Sequence, residues 1–317
     1  MLRLSITLIF LSVYFVCLSQ NQIQKDTTGT SDSTLKVTLL GTGTPQPIME
    51  RFGPSILVQV GNKTFLFDAG RGCLQRLRQL NLEYKRIDAV FFTHLHSDHI
   101  VGFPDLWLTG WLVSQRTMPL KVFGPKGTKQ MTEYLEKAYA FDIAIRVEDD
   151  KAFLEGSKLL TTDIKEGIVY EQDGVKIIAF LVDHYPVVPA FGYRIEFHGR
   201  SVVLSGDTRF SENLIKNAKG TDLLVHEVVI ASDTIKSSDP RYNILAHHTT
   251  PEQASKVFTA VKPRLAVYSH ISRLNGYPAD EILKRTKENY SGPAILGEDL
   301  MSFIVAETVS VKPWNTK

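Results

Sequence analysis

The sequence predicts an α/β fold in which two β-rich halves pack face to face between outer layers of helices. Short β-rich runs alternate with helical patterns from Leu35 onward. No low-complexity linker separates the two halves, which favours one domain over two. With 317 residues, 43% of them hydrophobic and 22% charged, the chain can bury a large core.

The N-terminus, "MLRLSITLIFLSVYFVCLSQ", has the organisation of a secretory signal peptide. A basic Arg3 precedes an apolar run over residues 4–16, and small residues surround Ser19. We therefore expect cleavage to remove residues 1–19, leaving a periplasmic or secreted protein without a membrane attachment. An uncleaved anchor is the first alternative, but the run is shorter than the roughly 18 residues that span a bilayer. A lipoprotein at Cys17 is the second, and small residues are missing just before that cysteine.

A polar leader over residues 20–34 is expected to join this signal to a single domain over residues 35–317. After cleavage Cys73 is the remaining cysteine, which excludes an intrachain disulfide, and a small buried residue is favoured over a thiol role. The net charge of +2 is not the strong positive charge typical of a nucleic-acid-binding protein. We therefore predict no dedicated nucleic-acid surface, although a local patch stays open.

The first half of the domain contains strand patterns, a turn and a helical pattern. "LKVTLLGTG" predicts a strand and a glycine turn, and "SILVQVGNKTFLFDAG" predicts two strands joined at Gly61-Asn62 with Asp68 at the exit. "GCLQRLRQLNL" has helical spacing, and "RIDAVFFTHLH" predicts a buried strand that ends at histidines. In the following "GFPDLWLTGWLVSQ", Trp107 and Trp111 are core residues or, alternatively, an aromatic wall that stacks on a leaving group.

The second half repeats this organisation. The runs "GVKIIAFLVDHY", "AFGYRIEFHGRSVVLSGDT", "TDLLVHEVV" and "PRLAVYSH" are apolar and carry His or Asp at or near their ends. Helix signals with Pro near the first turn occur in "PEQASKVFTAV" and "PADEILKRTKENY". Because strand ends at one edge of a sheet sandwich converge, these polar ends are predicted to share one cleft.

The segment "THLHSDH" is the densest group of metal-capable side chains. His94 and His96 are two apart, which on a strand points them the same way, and Asp98 and His99 follow on the loop. Imidazole nitrogens and carboxylates are natural ligands of zinc or a similar divalent ion. The alternative is a polar surface loop, but nine histidines in 317 residues would not give this density by chance. Later candidates at the ends of apolar runs are His184, Asp207, His226 and His270.

Taken in order, "GTGTP", "FDAG", "HLHSDH", His184, "SGDT" and "YSH" resemble the metallo-β-lactamase superfamily over Leu35 to about Ile304. The resemblance implies an αββα four-layer sandwich and two Zn²⁺ or similar divalent ions. It implies that Asp68 steadies the histidine loop. The implied metal ligands are His94, His96 and His184 for one ion, Asp98, His99 and His270 for the other, and Asp207 as a bridge between them.

The motifs "SGDTR", "LVHEVV" and "HHTTPEQA" resemble the RNase Z and zinc-dependent arylsulfatase branch. In RNase Z a Glu of a His-Glu motif and a His located 22 positions before the last ligand assist the chemistry, which implies roles for Glu227 and His248. The catalytic candidates are therefore Asp98, His248 and Glu227. Of the remaining histidines, His247 alone would more often be a surface residue, His226 is equally a buried hydrogen-bond partner, and His198 is a turn residue.

One departure decides the predicted substrate. Only 22 residues lie between His184 and Asp207, where RNase Z usually inserts a long tRNA-gripping arm. We therefore predict an exported di-zinc hydrolase, arylsulfatase- or phosphodiesterase-like, that uses metal-activated water on a small anionic phosphate or sulfate ester. The alternatives are an RNase Z-type tRNA 3′ endonuclease, a β-lactamase, which Asp207 disfavours, and a non-catalytic ligand-binding member, which the complete ligand set disfavours. The sequence leaves the oligomeric state open, with a homodimer among the options.

Overall fold

The computed structural model describes residues 34–232 and 234–314. The predicted signal at residues 1–19, and the leader except its last residue, lie outside the described residues, so cleavage and export stay predictions. Within the described ranges no helix combines the length and the apolar character needed to cross a bilayer.

The described residues form two β-sheets. The strands of the first sheet, from edge to edge, are β15 (Val309–Lys312), β14 (Ser302–Val305), β1 (Leu35–Gly41), β2 (Ser55–Val60), β3 (Lys63–Phe67), β4 (Ala89–Phe91), β5 (Leu120–Gly124) and β6 (Leu159–Asp163). The strands of the second sheet are β13 (Ala294–Leu296), β12 (Leu265–Arg273), β11 (Leu223–Ile230), β10 (Arg200–Leu204), β9 (Val187–Phe197), β8 (Val175–His184) and β7 (Gly167–Gln172). Each sheet mixes antiparallel hairpins with parallel pairs, such as β3 with β4 and β11 with β12.

Helices cover the outer face of each sheet. In chain order they are α1 (Cys73–Gln79), α2 (Ser97–Ile100), α3 (Phe103–Leu112), α4 (Thr128–Ala138), α5 (Ala140–Glu148), α6 (Glu212–Ala218), α7 (Tyr242–His247), α8 (Pro251–Val261) and α9 (Asp280–Lys287). One core lies between the sheets and contains Phe65 and Phe91 from the first with Ile177 and Tyr193 from the second. Two further cores lie beneath the helices of the first and second sheets. The predicted αββα four-layer sandwich is therefore confirmed.

The histidine segment does not continue a strand as the sequence predicted. β4 ends at Phe91, and His94 and His96 lie in the loop that precedes α2. The backbone leaves the sheet because the Thr93 N–H donates to Oδ1 of Asp68 at 2.8 Å instead of to a neighbouring strand. Loop conformation, and not strand alternation, therefore aims these two histidines.

The alternative of an aromatic wall at the cleft is wrong for the two tryptophans. Trp107 and Trp111 are fully buried on α3, in the core beneath the first sheet. Their indole N–H groups donate to the carbonyls of Ser157 at 2.9 Å and Phe153 at 2.8 Å. Both rings are thus satisfied core residues, and neither is available to stack on a substrate.

Candidate metal centre

The predicted ligands converge at the edge where strands of both sheets end. From the first sheet, the loop after β4 carries His94 and His96, and α2 carries Asp98 and His99. From the second sheet, His184 is the last residue of β8, Asp207 follows β10, and His270 lies in β12. The structure therefore brings all seven predicted ligands together, although they are spread widely along the sequence.

The donors form two groups that meet at Asp207. The ligand atoms within each group lie within 4.8 Å of one another, and the groups are His94, His96, His184 and Asp207, and separately Asp98, His99 and His270. Oδ2 of Asp207 is 3.3 Å from Nε2 of both His99 and His270. The same oxygen is 3.8 Å from Nε2 of His94 and 3.9 Å from that of His184. One carboxylate oxygen thus lies near both groups, the position that a bridging ligand would need.

The chemistry of the cluster fits a divalent cation. Nε2 of His94 and Nε2 of His99 are buried and have no hydrogen-bond partner among the described residues, which is unusual for buried polar atoms. Burial lowers the pKa of His94 well below its ordinary value, so its ring is neutral and has a lone pair for a metal. Imidazole and carboxylate donors suit zinc and related metals.

The carboxylates of the cluster favour positive charge at one position, His99. Burial alone would lower the pKa of His99, but the carboxylates of Asp207 and Asp68 outweigh it and raise that pKa well above its ordinary value. The cluster therefore stabilises a positive charge near His99. This is the environment that a bound cation requires.

Asp68 holds the histidine loop in place, as the resemblance implied. Its Oδ1 accepts the Thr93 N–H at 2.8 Å, and its Oδ2 accepts the Thr93 hydroxyl at 2.8 Å and the Nδ1–H of His99 at 2.8 Å. The last bond fixes the tautomer of His99, so that Nε2 faces the other donors. Thr93 was not singled out from the sequence, because a threonine between an apolar run and a histidine carries no ligand signal.

His248 and Glu227 lie beside the donor cluster. Nδ1 of His248 is 3.3 Å from Oε2 of Glu227, and the ring stacks on that of His270 with centroids 5.4 Å apart. Burial would lower the pKa of His248, but Glu227 outweighs it and raises the pKa to about 9. Oε1 of Glu227 accepts the Thr249 N–H at 2.8 Å. His248 can therefore carry a proton at the edge of the cluster.

The remaining histidines play other parts. His247 contributes its backbone carbonyl, which accepts the Nδ1–H of His184 at 3.0 Å, while its ring is half-buried. His226 is buried against Phe258, and its Nδ1–H donates to the Glu227 carbonyl at 2.7 Å. His198 is exposed in the turn between β9 and β10. None of the three belongs to the metal-capable groups of the described residues.

Comparisons with known proteins agree with this geometry. Residues 63–271 match the family described as beta-lactamase superfamily domain. The chain is 36% identical over 284 residues to a protein named ribonuclease Z from Mycolicibacterium gilvum, covering 88% of this chain and 99% of that protein. It is 34% identical over 271 residues to a ribonuclease Z from Mycobacterium marinum, covering 84% and 97%.

Solved structures share the fold at lower identity. The metallo-beta-lactamase fold protein YhfI from Bacillus subtilis has a TM-score of 0.68 at 18% identity, with 86% of this chain and 99% of that chain covered. The human tRNase Z, short form, has a TM-score of 0.62 at 22% identity, with 84% and 98% covered.

These similarities correct two predictions. The prediction of an arylsulfatase- or phosphodiesterase-like hydrolase of small esters is wrong, because the relatives at 32–36% identity are named ribonuclease Z. The prediction of a small anionic ester partner without a nucleic-acid surface is wrong for the same reason. The short interval between His184 and Asp207 does not exclude an RNase Z, since a protein of that name is matched over 99% of its length and leaves no long arm unmatched. The findings favour the RNase Z alternative.

Proposed function

The chain belongs to the beta-lactamase superfamily and has relatives named ribonuclease Z, and we propose that it is a metal-dependent endoribonuclease that cleaves precursor tRNA at its 3′ end. The observation that carries the proposal is the position of His248. His248 is paired with Glu227. One ligand-type atom each of His248, Asp207 and His270 lies within 4.8 Å of the others. A proton donor therefore adjoins the donor cluster in a chain whose relatives are ribonucleases.

The donor cluster supplies the metal side of the proposed reaction. His94, His96 and His184 would hold one divalent ion, and Asp98, His99 and His270 would hold the other, with Asp207 shared. When bound, such ions activate water for attack and polarise the oxygens of a phosphodiester. Zinc is one of the metals that these nitrogen and oxygen donors suit.

Asp98 has a second proposed part. Its Oδ2 lies 3.4 Å from Nε2 of His270 and 3.6 Å from Nε2 of His99. Burial would raise the pKa of Asp98, but its bond to His270 and the charge of His99 outweigh it and lower that pKa, so the carboxylate stays ionised. It can therefore accept a hydrogen bond from the attacking water and orient it.

His248 would deliver a proton to the leaving 3′ oxygen of the tRNA. Glu227 lies on the Nδ1 side of the ring, which leaves Nε2 as the atom that can donate. Glu227 is itself held by the Thr249 N–H, so it positions His248 without touching the substrate. General-acid help of this kind typically contributes about 10²- to 10⁴-fold.

The rim of the cleft offers contacts suited to RNA. Tyr185 follows His184 and is 65% exposed. Arg209, two residues after Asp207, donates to the Tyr185 carbonyl at 3.0 Å, and its guanidinium is 6.0 Å from the Tyr185 ring centroid. An exposed aromatic ring stacks on bases, and a guanidinium binds phosphate. This pair supports RNA at the cleft despite the nearly neutral net charge of the chain.

The test uses a precursor tRNA with a 3′ trailer and the zinc-loaded protein. We expect one cut at the base of the trailer, and a rate for His248→Ala lower by about 10²-fold or more. The control is His198→Asn, which changes a histidine in an exposed turn and retains a residue that tolerates its positive φ of 45°. An intact trailer with fully metal-loaded wild-type protein would refute the proposed function.

A further inference from the structure

His270 occupies an irregular position in its strand. The pairing of β11 with β12 shifts so that Glu227 faces Ser269 and Val228 faces Ile271, which leaves His270 as the extra residue of a bulge. Its φ of 44° is in the left-handed region that non-glycine residues rarely adopt. Something outside the strand must therefore hold this conformation.

The bulge is held from the other sheet. The N–H of Ile271 donates to the carbonyl of Thr42 at 2.9 Å. Thr42 follows the last residue of β1, so this bond joins the first sheet to the bulge in the second. The position of Thr42 consequently sets where the backbone after His270 can lie.

Thr42 is itself fixed by Asp299. Oδ1 of Asp299 accepts both the N–H of Thr42 at 2.9 Å and its hydroxyl at 2.8 Å. The hydroxyl also accepts a hydrogen bond from Nη1 of Arg51 at 2.7 Å. The same guanidinium donates to the Gly297 carbonyl at 2.6 Å. Both the backbone and the side chain of Thr42 are thus held by the chain that leads into β14.

The second oxygen of Asp299 is equally occupied. Oδ2 accepts the Phe52 N–H at 2.8 Å and two nitrogens of Arg76, Nη2 at 2.9 Å and Nε at 3.2 Å. The Arg76 guanidinium lies 4.1 Å from the Phe52 ring centroid, and only 4% of the Asp299 side chain is exposed. A buried carboxylate that accepts this many bonds from three separate segments is a rigid attachment point.

We propose that Asp299 is a positioning residue for the metal-binding His270, acting through Thr42 on the bulge that presents the imidazole. The carboxylate does not belong to the metal-capable groups of the described residues. It keeps the bulge in the one conformation that places Nε2 of His270 3.3 Å from Asp207 and 3.4 Å from Asp98. The inference rests on the metal site of the proposed function and does not depend on the identity of the substrate.

The test compares Asp299→Asn with a matched control, Asp222→Asn. Asp222 is a buried carboxylate that accepts the Ser201 N–H at 2.8 Å and pairs with Arg264 at 3.1 Å, at the end of β10 opposite to Asp207. Metal-free protein would be titrated with Zn²⁺ against a chromogenic chelator, and Co²⁺ spectra would report the ligand geometry. Thermal midpoints would be recorded for both variants.

For Asp299→Asn we expect about tenfold weaker binding of one Zn²⁺ equivalent and a changed Co²⁺ spectrum, the size typical of groups that orient metal ligands. For Asp222→Asn we expect a lower thermal midpoint with unchanged Zn²⁺ affinity. Should Asp299→Asn not fold, Thr42→Val removes the hydroxyl bonds to Asp299 and from Arg51 but keeps the N–H bond to Asp299, and the same loss in weaker form is expected. Wild-type Zn²⁺ affinity and Co²⁺ spectra in the folded variant, or an equal loss in Asp222→Asn, would overturn the proposal.

The assay needs no RNA, so the two proposals fail separately. A chain that binds zinc more weakly after Asp299→Asn but cuts no precursor tRNA supports this inference and refutes the proposed function. A chain that cuts precursor tRNA but keeps wild-type zinc affinity after Asp299→Asn does the opposite.

Discussion

Among single residues, three carboxylates contact and orient the histidines of the site. Asp207 lies near both histidine groups, Asp68 fixes the tautomer of His99, and Glu227 holds His248. Each carboxylate is buried, so it can keep its charge only while its partners stay in place. Substituting a carboxylate should therefore reveal its role more clearly than substituting an exposed histidine.

Asp207→Ala removes the oxygen shared by the two donor groups. We expect the purified variant to hold far less zinc than the wild type and to lose orders of magnitude in turnover. Elemental analysis measures the first effect and precursor-tRNA cleavage the second. His198→Asn, in the exposed turn at the other end of β10, should match the wild type in both. If both variants retained equal zinc, Asp207 could not be the bridge.

Glu227→Gln tests the pairing with His248 without emptying the metal site. The amide keeps an oxygen for the Thr249 N–H but removes the charge beside Nδ1 of His248. We expect kcat to fall by about 10²-fold, the low end of a general-acid contribution, with little change in KM or zinc content. A loss confined to zinc content would instead make Glu227 a support of the metal site.

Cys73 provides a test of burial that needs no substrate. Burial raises the pKa of its thiol to about 12, and its Sγ contacts the Gly102 carbonyl at 3.9 Å. Because the raised pKa keeps the thiol protonated below that pH, the reactive thiolate is scarce at pH 7–9. In a Cys17→Ser chain, iodoacetamide should leave the folded protein unlabelled and label it rapidly in denaturant. Rapid labelling of the folded chain would contradict the burial of Cys73.

Among the elements, the sequence predicted β1 to β4 and β8 to β12 and missed strands at or near the edges of both sheets. β8 to β12 and α8 follow the predicted order because apolar runs, turns and Pro signals are strong there. α4, α5, β6 and β7 were not predicted. β6 and β7 are the edge strands of their sheets and have mostly half-buried or exposed residues, so their hydrophobic alternation is weak.

The sequence could predict that the histidine loop binds metal, but it could not predict the backbone conformation of that loop. Its residues continue the apolar run of β4 without a turn signal. β4 ends where the Asp68 carboxylate, just after β3, accepts the Thr93 N–H. Contacts of this kind join residues far apart in sequence. The bond between Thr42 and Asp299 could not be predicted either, because these residues are also far apart in sequence.

Gly70→Ala tests how tightly the loops around the site are packed. A Cβ at Gly70 would come within 2.6 Å of the Asp98 carbonyl and of the Pro54 nitrogen, so the backbone that carries Asp98 must move. We expect a loss of roughly 1–3 kcal/mol in stability, typical of overpacking, together with reduced zinc content. Gly220→Asn is the control, since its φ is 67° and nothing lies within 4 Å. Unchanged zinc in Gly70→Ala would show that the loop adapts.

At the scale of the whole molecule, the metal-capable groups lie across the junction of the two sheets. His94 and His96 come from the first sheet, while His184 comes from the second and Asp207 follows β10 of that sheet. The large core between the sheets packs the two halves against each other. A cation bound by both halves would add to that attachment, so the centre should contribute to folding as well as to chemistry.

Removing the metal should therefore lower stability and not only activity. A ligand that binds the folded state alone stabilises it by about 2.7 kcal/mol when present at 100 times its Kd. We expect EDTA to lower the thermal midpoint of the zinc-loaded wild type, and excess Zn²⁺ to restore it. Asp207→Ala should start at a lower midpoint and respond little to either addition, because the shared ligand is gone, whereas His198→Asn should behave as the wild type does. An EDTA-treated wild type that loses its zinc yet keeps its midpoint would show that the core between the sheets carries the whole attachment and that the metal serves catalysis alone.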